Sequence, residues 1–387
     1  MKHKNLIIGI TAEGSVNLLL GQLAFFKSQG YKTYLLAPYS ERSATFCKNE
    51  GCEHLIIKIE REISPVKDLK TLWDIYKIFR KIKPDIVNLG TPKVALLGMI
   101  AGKILGIKKR IYTCRGFRFE HEKGAKRKIL IAMEKITSFC AHQVICISNS
   151  VQKIGIEADI FQKEKSIVIN KGSSNGVNLE LFDPLNQLFI VKKQEIVEKY
   201  DLRDKFIYGF LGRIVDRKGI NELYNVFCKI FEENPNTRLL LVGPFETDQI
   251  YDKTLIEKIN NHPAIINVGR VLQGDVPPYI LALDVFVLPA WWEGFGNVLV
   301  QAAAMGVPVI STTGTGTIDA VSDGFNGILI PVKDNKKLEE AMRKLIEDKD
   351  LREKFGANGL IWAKNFDREI IWEGMNNLFL DKEAEDN

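Results

Sequence analysis

The six cysteines, at positions 47, 52, 114, 140, 146 and 228, form no CxxC pair. The five histidines stand at no finger-like spacing to them. That pattern argues against a zinc site or a disulfide framework and suits a reducing cytosol. Long apolar runs are missing too. The most apolar stretch, Val94 to Ile107, is 14 residues long and contains Lys103, whereas a membrane span needs about 20. Leu6 to Ile10 reads as a strand, not as a secretory segment with a cleavage site. There is no GxxxxGK[ST] loop, and the acidic pair Asp201 and Asp204 has no phosphate-facing glycines beside it. These absences leave a cytosolic chain that uses neither a P-loop nor an evident metal cluster.

What is present is enough for two cores. A chain of 387 residues exceeds one typical domain, so two domains of roughly 150 to 200 residues are expected. The net charge of +6 is unevenly spread: residues 1–180 hold 30 Lys/Arg against 16 Asp/Glu, and residues 181–387 hold 24 against 32. The excess peaks between Lys103 and Lys135, with 11 basic and 3 acidic residues. Such a field attracts phosphate-bearing ligands, acidic lipid surfaces or nucleic acid. A solvated basic face is the plain alternative.

Hydrophobic periodicity divides the chain into two successive βα arrays. The first has strands at Asn5–Ile10, Thr33–Ala37, Ile86–Leu89, Lys109–Thr113, Gln143–Ser148 and Ser166–Asn170. Helices intervene, one carrying Leu18, Leu19, Leu23 and Phe26 and another running from Asp68 to Lys81. The second has strands at Phe206–Leu211, Arg238–Val242, Ile265–Val268, Val285–Leu288 and Pro308–Ser311, with helices such as Ile220–Asn234 and Asn297–Met305. Helices between strands imply parallel sheets with right-handed crossovers. Lys171 to Pro184, rich in Gly, Ser, Asn and Pro, reads as the connection. The polar, acidic residues 381–387 read as a frayed end. Ligands bind at the carboxyl ends of such strands, so polar signals of both halves are expected in a cleft between them.

Two segments carry chemistry. In Gly209-Phe-Leu-Gly212-Arg213-Ile-Val-Asp-Arg-Lys218-Gly219 a buried strand ends in a Gly-rich loop with cations, and a helix starts near Ile220. Its N-terminus offers free N–H groups. Arg213 can fork onto phosphate oxygens and Lys218 can add a point charge, while Arg217 reads as a solvated turn residue. In Glu293-Gly-Phe-Gly296-Asn297-Val-Leu-Val-Gln301 the glycines allow close backbone approach. Asn297 is a candidate N-cap, and Gln301 shares its helix face. Glu293 projects ahead of that face. A carboxylate and an amide there could take hydroxyls of a sugar and a ribose; a capping loop with a surface Glu is the bland reading.

In this order, about 80 residues apart, these segments resemble the donor site of glycosyltransferase family 4, whose members are retaining enzymes. The resemblance extends over nearly the whole chain, through Pro84-Asp85-Ile86-Val87, Thr91-Pro92-Lys93, Arg115-Gly116-Phe117-Arg118, Lys171 to Val177 and Asp323-Gly324-Phe325-Asn326-Gly327. The branch it resembles builds bacterial capsule, exopolysaccharide or lipid-linked glycans. Two positions depart from the family pattern. Gln301 stands where the family has a second Glu for the ribose, and Arg115 where many relatives have a His.

The resemblance implies an α/β GT-B fold of two Rossmann-like doubly wound domains facing across a cleft. Residues 1–180 would bind the acceptor, rejoined by a C-terminal helix at about 366–382, and 185–365 the nucleotide sugar. It implies a metal-independent retaining hexosyltransferase, with no cofactor beyond the nucleotide-sugar co-substrate, UDP-linked by resemblance. The catalytic set is Glu293, Arg213 and Lys218. The donor set is Gly14, Gly212, Gly243, Arg270, Phe295, Gly296, Asn297 and Gln301. The amides of Gly296 and Asn297 would reach the β-phosphate or sugar. The acceptor or sugar side is Ser15, Asn17, Thr91, Lys93, Arg115 and Arg118. The implied acceptor is a glycan or a polyprenyl-diphosphate-linked sugar. The helix Lys126–Phe139, with Ile129, Leu130, Met133 and Ile136, is then either core or a peripheral dock on the anionic inner face of the inner membrane. Rival readings are a GT-B sugar-nucleotide epimerase, for which the histidines form no evident cleft cluster, and a non-catalytic nucleotide-sugar binder, suggested by Gln301. Nucleic-acid binding ranks last, because the basic zone lacks interleaved aromatics.

Overall fold

Residues 3–60 and 64–381 are described by the computed structural model; the acidic end expected to fray lies, past Asp381, outside them. The chain forms two units, one of residues 1–175 with 369–387 and the other of residues 176–368. The passage from one unit to the next falls within the Lys171 to Pro184 connection, between Asn175 and Gly176. Gly176, at φ +70, lies so close to Arg368 that a Cβ would stand 2.2 Å from its Cα. The Val177 amide donates to Phe366 O at 2.7 Å and the Arg368 amide to Val177 O at 3.0 Å. These bonds fasten residues 176 onward to the second unit.

In the first unit the strands are β1 (Lys4–Gly9), β2 (Tyr31–Ala37), β3 (Glu53–Ile56), β4 (Ile86–Leu89), β5 (Lys109–Cys114), β6 (Gln143–Cys146) and β7 (Ser166–Val168). They form one parallel sheet in the order β3-β2-β1-β4-β5-β6-β7. Parallel sheets are covered on both faces, so their strands read as continuous apolar runs. Along β1, Ile7 joins Tyr34, Leu36, Val87 and Phe79 on one face, while Leu6 and Ile8 join Leu23, Phe26, Met375 and Phe379 on the other. The second face is thus closed by the helix Arg368–Leu380. It is pinned at a buried polar knot, where Gln22 Nε2 and Trp372 Nε1 donate to Asn175 Oδ1 at 2.9 and 2.7 Å. The helix expected across Leu18 to Phe26 is split at Gly21, φ +80, where a Cβ would meet the Trp372 ring at 2.6 Å. β3 has no apolar run: it is a four-residue edge strand with two exposed residues.

The second unit holds β8 (Phe206–Leu211), β9 (Thr237–Val242), β10 (Ile265–Gly269), β11 (Val285–Leu288), β12 (Val309–Thr312) and β13 (Gly327–Ile330). Their order is β10-β9-β8-β11-β12-β13, all parallel. The direction of winding reverses between β8 and β11, and ligands of such sheets bind at the carboxyl side of that switch point. Both segments singled out above leave the sheet there.

Candidate functional site

The loop after β8 is shaped by glycines. Gly212 has φ +132, and Gly243, at the end of β9, has φ +148. A Cβ on Gly243 would lie 1.9 Å from Gly212 O, so the two loops touch backbone to backbone. The Ile214 amide then donates to Pro244 O at 2.9 Å and the Glu246 amide to Ile214 O at 3.2 Å. Asp216, 2% exposed, braces the turn: its carboxylate accepts from Asn221 Nδ2 at 3.0 Å and from the Tyr251 amide at 2.7 Å. Gly219, φ +74, opens the helix Ile220–Glu233, and a Cβ there would strike Pro289 O at 2.1 Å.

The segment after β11 meets this loop. The Trp291 amide donates to Arg217 O at 2.8 Å, and Trp291 Nε1 to Glu222 Oε1 at 2.9 Å. The Glu293 amide donates to Thr315 O at 2.8 Å. Glu293 Oε1 is buried, 3.2 Å from Lys218 Nζ and 3.5 Å from Arg217 NH1. It is ion-paired to both and in hydrogen-bond alignment with neither. Burial would raise this carboxyl, but Lys218 first, then Arg217 and Arg213, outweigh that and hold it below the ordinary glutamate value. The site is therefore an ionised carboxylate set among three cations at the switch point. Such a field can accept a diphosphate while leaving a carboxylate beside it.

Several expected placements change. Arg217 is not solvated: its side chain is 22% exposed and packs on Glu293, because the Trp291 amide pins its backbone. Arg213 is the more exposed cation, 46%, held 2.8 Å from Glu246 Oε2. Asn297 is the first residue of the helix Asn297–Ala304, and Gly296 is its cap. The amides expected on a phosphate already have partners, since Gly296 N–H donates to Gly316 O at 3.3 Å and Asn297 N–H to Phe295 O at 2.9 Å. Phe295 is core, its ring 5.4 Å from that of Phe366. Gln301 is half-buried one turn along the same helix. Arg270 follows β10, two strands from β8, and lines a cavity of about 410 Å³ with Lys192 and Tyr279.

In the first unit, Gly14, Ser15 and Asn17 lie on a 3₁₀ turn, Glu13–Leu19, after β1. Gly14 is exposed with open space around it, the Ser15 amide donates to Ala12 O at 2.9 Å, and Asn17 Oδ1 accepts from Arg42 at 2.7 Å. Thr91 Oγ1 accepts from the Thr11 amide at 2.7 Å, tying the ends of β4 and β1. Lys93 is not offered to a ligand: it is 5% exposed and its Nζ lies 2.7 Å from Asp68 Oδ1. The sequence placed it after a strand end, but Pro92 starts a helix there and turns the side chain inward. Arg115 stands at the end of β5, beside Gly90; its NH1 donates to Ser174 O at 2.9 Å, while its Nε is buried without a partner. Arg118 is exposed on the turn Arg118–His121. Of the helix Lys126–Phe139, which lies within Gly124–Cys140, Leu130 is buried and Met133 half-buried, whereas Ile129, Ile136 and Phe139 are exposed, with Lys103 Nζ 3.4 Å above the Phe139 ring. Among the described residues no His, Cys, Asp or Glu side chains group to hold a metal ion, and no helix is long and apolar enough to cross a membrane.

Sequence reasoning missed Asp216, Glu222 and Glu246. Asp216 had a signal, an acid between two cations in a loop that needs internal bonds. Glu222 and Glu246 look like surface acids; only folding brings Glu222 to Trp291 and Glu246 to Arg213.

Comparison with known proteins agrees in both halves. The family profile described as glycosyl transferases group 1 matches residues 192–362, and one described as glycosyl transferase 4-like matches residues 11–148. The chain is 37% identical to the capsular polysaccharide biosynthesis glycosyltransferase CapM of Staphylococcus aureus, over 100% of both chains. It is 30% identical to the UDP-Gal:alpha-D-GlcNAc-diphosphoundecaprenol alpha-1,3-galactosyltransferase of Escherichia coli, over 80% of this chain and 77% of that one. Its fold superposes on Anabaena HepE, solved in complex with UDP and glucose, with a TM-score of 0.82 at 18% identity, covering 98% of this chain and 100% of that one.

Proposed function

The chain belongs to the group 1 glycosyltransferases of family 4, with the GT-B fold, and from that premise we propose that it moves a sugar from a UDP-sugar onto a polyprenyl-diphosphate-linked sugar in the assembly of a bacterial surface glycan. The observation that carries the reading is the buried Glu293 carboxylate against Lys218 and Arg217, with Arg213 at 2.8 Å from Glu246 on the rim. The relatives support the substrate classes by what they are named for.

In the proposed reaction the acceptor hydroxyl attacks the anomeric carbon from the face the leaving group departs. The new C–O bond forms as the bond to the β-phosphate oxygen breaks, and the acceptor proton passes to that phosphate. The configuration is retained and no protein nucleophile is used. Arg213 and Lys218 stabilise the developing charge on the diphosphate, the task a divalent ion has elsewhere, so no metal is required. Glu293 orients the donor sugar and stabilises positive charge at the anomeric centre. Gln301 accepts a ribose hydroxyl through its amide oxygen. The exposed Ile129, Ile136 and Phe139 beside a basic zone support peripheral docking on an anionic membrane face.

A thermal-shift screen of UDP-, GDP- and ADP-sugars tests the donor. A shift with the UDP-sugar alone is expected; none with any of the three sinks the reading. Transfer should persist in EDTA and disappear in Glu293→Ala.

A further inference from the structure

No step above uses the cavity of about 520 Å³ at the carboxyl ends of β2 and β3. Volumes of this order hold small-molecule ligands. Its walls are of two kinds. Tyr39, just past β2, and Ile56, the last residue of β3, are large apolar side chains left 65% and 54% exposed. Lys58 follows β3, and Lys67 and Lys70 come from the start of the helix Pro65–Ile82. Thr71 Oγ1 in that helix donates to Lys58 O at 2.7 Å, which ties the helix to the strand-end loop.

Two carboxylates also line the cavity, and both are answered: Glu60 Oε1 lies 2.5 Å from Lys67 Nζ, and Asp74 Oδ1 3.7 Å from Lys77 Nζ. Lys58 and Lys70 make no ion pair among the described residues. Beside the lysines, the same helix exposes Val66, Leu69 and Trp73, a stripe at three- and four-residue spacing. Exposed apolar side chains in the cavity wall and on the next face of the helix that lines it fit an extended hydrocarbon. Two cations that make no ion pair among the described residues fit a multivalent anion. A nucleotide lacks the hydrocarbon, and a free prenol lacks the anion.

We infer that this cavity binds the polyprenyl-diphosphate portion of the acceptor. Lys58 and Lys70 take the diphosphate, Tyr39 and Ile56 take the first isoprene units, and the Val66, Leu69 and Trp73 stripe takes the chain beyond. This rests on the acceptor class proposed above and adds the site that reads it.

Farnesyl diphosphate, a soluble short-chain probe, tests it by titration calorimetry on the full chain, with farnesol, inorganic pyrophosphate and UDP in parallel. Farnesyl diphosphate should bind about tenfold or more tightly than farnesol or pyrophosphate. The pair Lys58→Ser and Lys70→Ser, and separately Tyr39→Ser and Ile56→Ser, should each weaken it about tenfold while UDP affinity stays unchanged. All four side chains are on the surface, so both variants should fold. Affinity unmoved by either pair, or no better than that of pyrophosphate, overturns the inference. So does equal displacement by phosphatidylglycerol vesicles, which would assign the cavity to bulk lipid. If UDP binds and farnesyl diphosphate does not, the cavity assignment alone fails; if neither binds, the transferase reading fails with it.

Discussion

Glu293 shows how strongly three cations act on one buried acid. Lys218 is the largest of the influences that lower its carboxyl, and burial opposes them. Lys218→Ala should therefore cost twice: about 10² to 10³ in kcat from lost charge on the leaving group, and an acid limb of the kcat/KM profile shifted to higher pH. An unshifted limb would mean that Lys218 does not set this carboxylate. For Gln301→Glu, UDP affinity by calorimetry should be equal or tighter, because a charged acceptor bonds hydroxyls more strongly by about 1 kcal/mol; loss of binding would contradict the ribose contact. A third residue acts on stability. Glu134, buried in the first unit, accepts from Tyr112 OH at 2.7 Å, and burial raises it to about 7 from 4.5. The folded chain thus keeps a proton that the unfolded chain has released. That stabilisation is complete below about 4.5 and is lost as pH rises through about 7. Urea unfolding at pH 5 and pH 8 should show Glu134→Gln losing less stability over that interval than the wild type, by on the order of 3 kcal/mol. Parallel pH dependence in the two proteins would refute it.

At the scale of elements, glycines decide where the loops can go. Gly316 has φ +75, and a Cβ would lie 2.4 Å from Glu293 O. Gly316→Ala should lower stability by about 1–3 kcal/mol and weaken UDP binding, since the strand-end loop must move. Gly14 is the contrast, with nothing within 4 Å of a Cβ. Gly14→Ala should melt as the wild type does, so any loss of transfer reports contact with a substrate rather than a fold defect. Elements with strong apolar periods were legible: β8, β11 and the helix from Ile220 start where the pattern says. The edge strand β3, only four residues long, half polar and half exposed, was not, nor was the break at Gly21, which depends on Trp372 about 350 residues away.

For the whole molecule, charge separates the two ends of the sequence. The basic excess of residues 1–180 coincides with exposed Ile129, Ile136 and Phe139 on one helix. The protein should pellet with anionic vesicles at low salt and much less at 0.5 M salt, where screening leaves a Debye length of roughly 4–5 Å. Neutral vesicles should not hold it, and Ile136→Ser with Phe139→Ser should weaken pelleting without lowering the melting temperature. Equal pelleting with neutral vesicles would contradict an electrostatic dock.

The sequence by itself determined the two parallel α/β units, because runs apolar on both parities have no other stable home than a sheet covered twice. It also marked Arg213, Lys218 and Glu293, because cations and glycines at strand ends are a local signal. Only the tertiary structure decided which charges meet. Lys93 looked available and is buried on Asp68, while Arg217 looked solvated and faces Glu293. Those outcomes turn on packing between elements far apart in the chain, where burial makes an unpaired charge costly and so selects its partner.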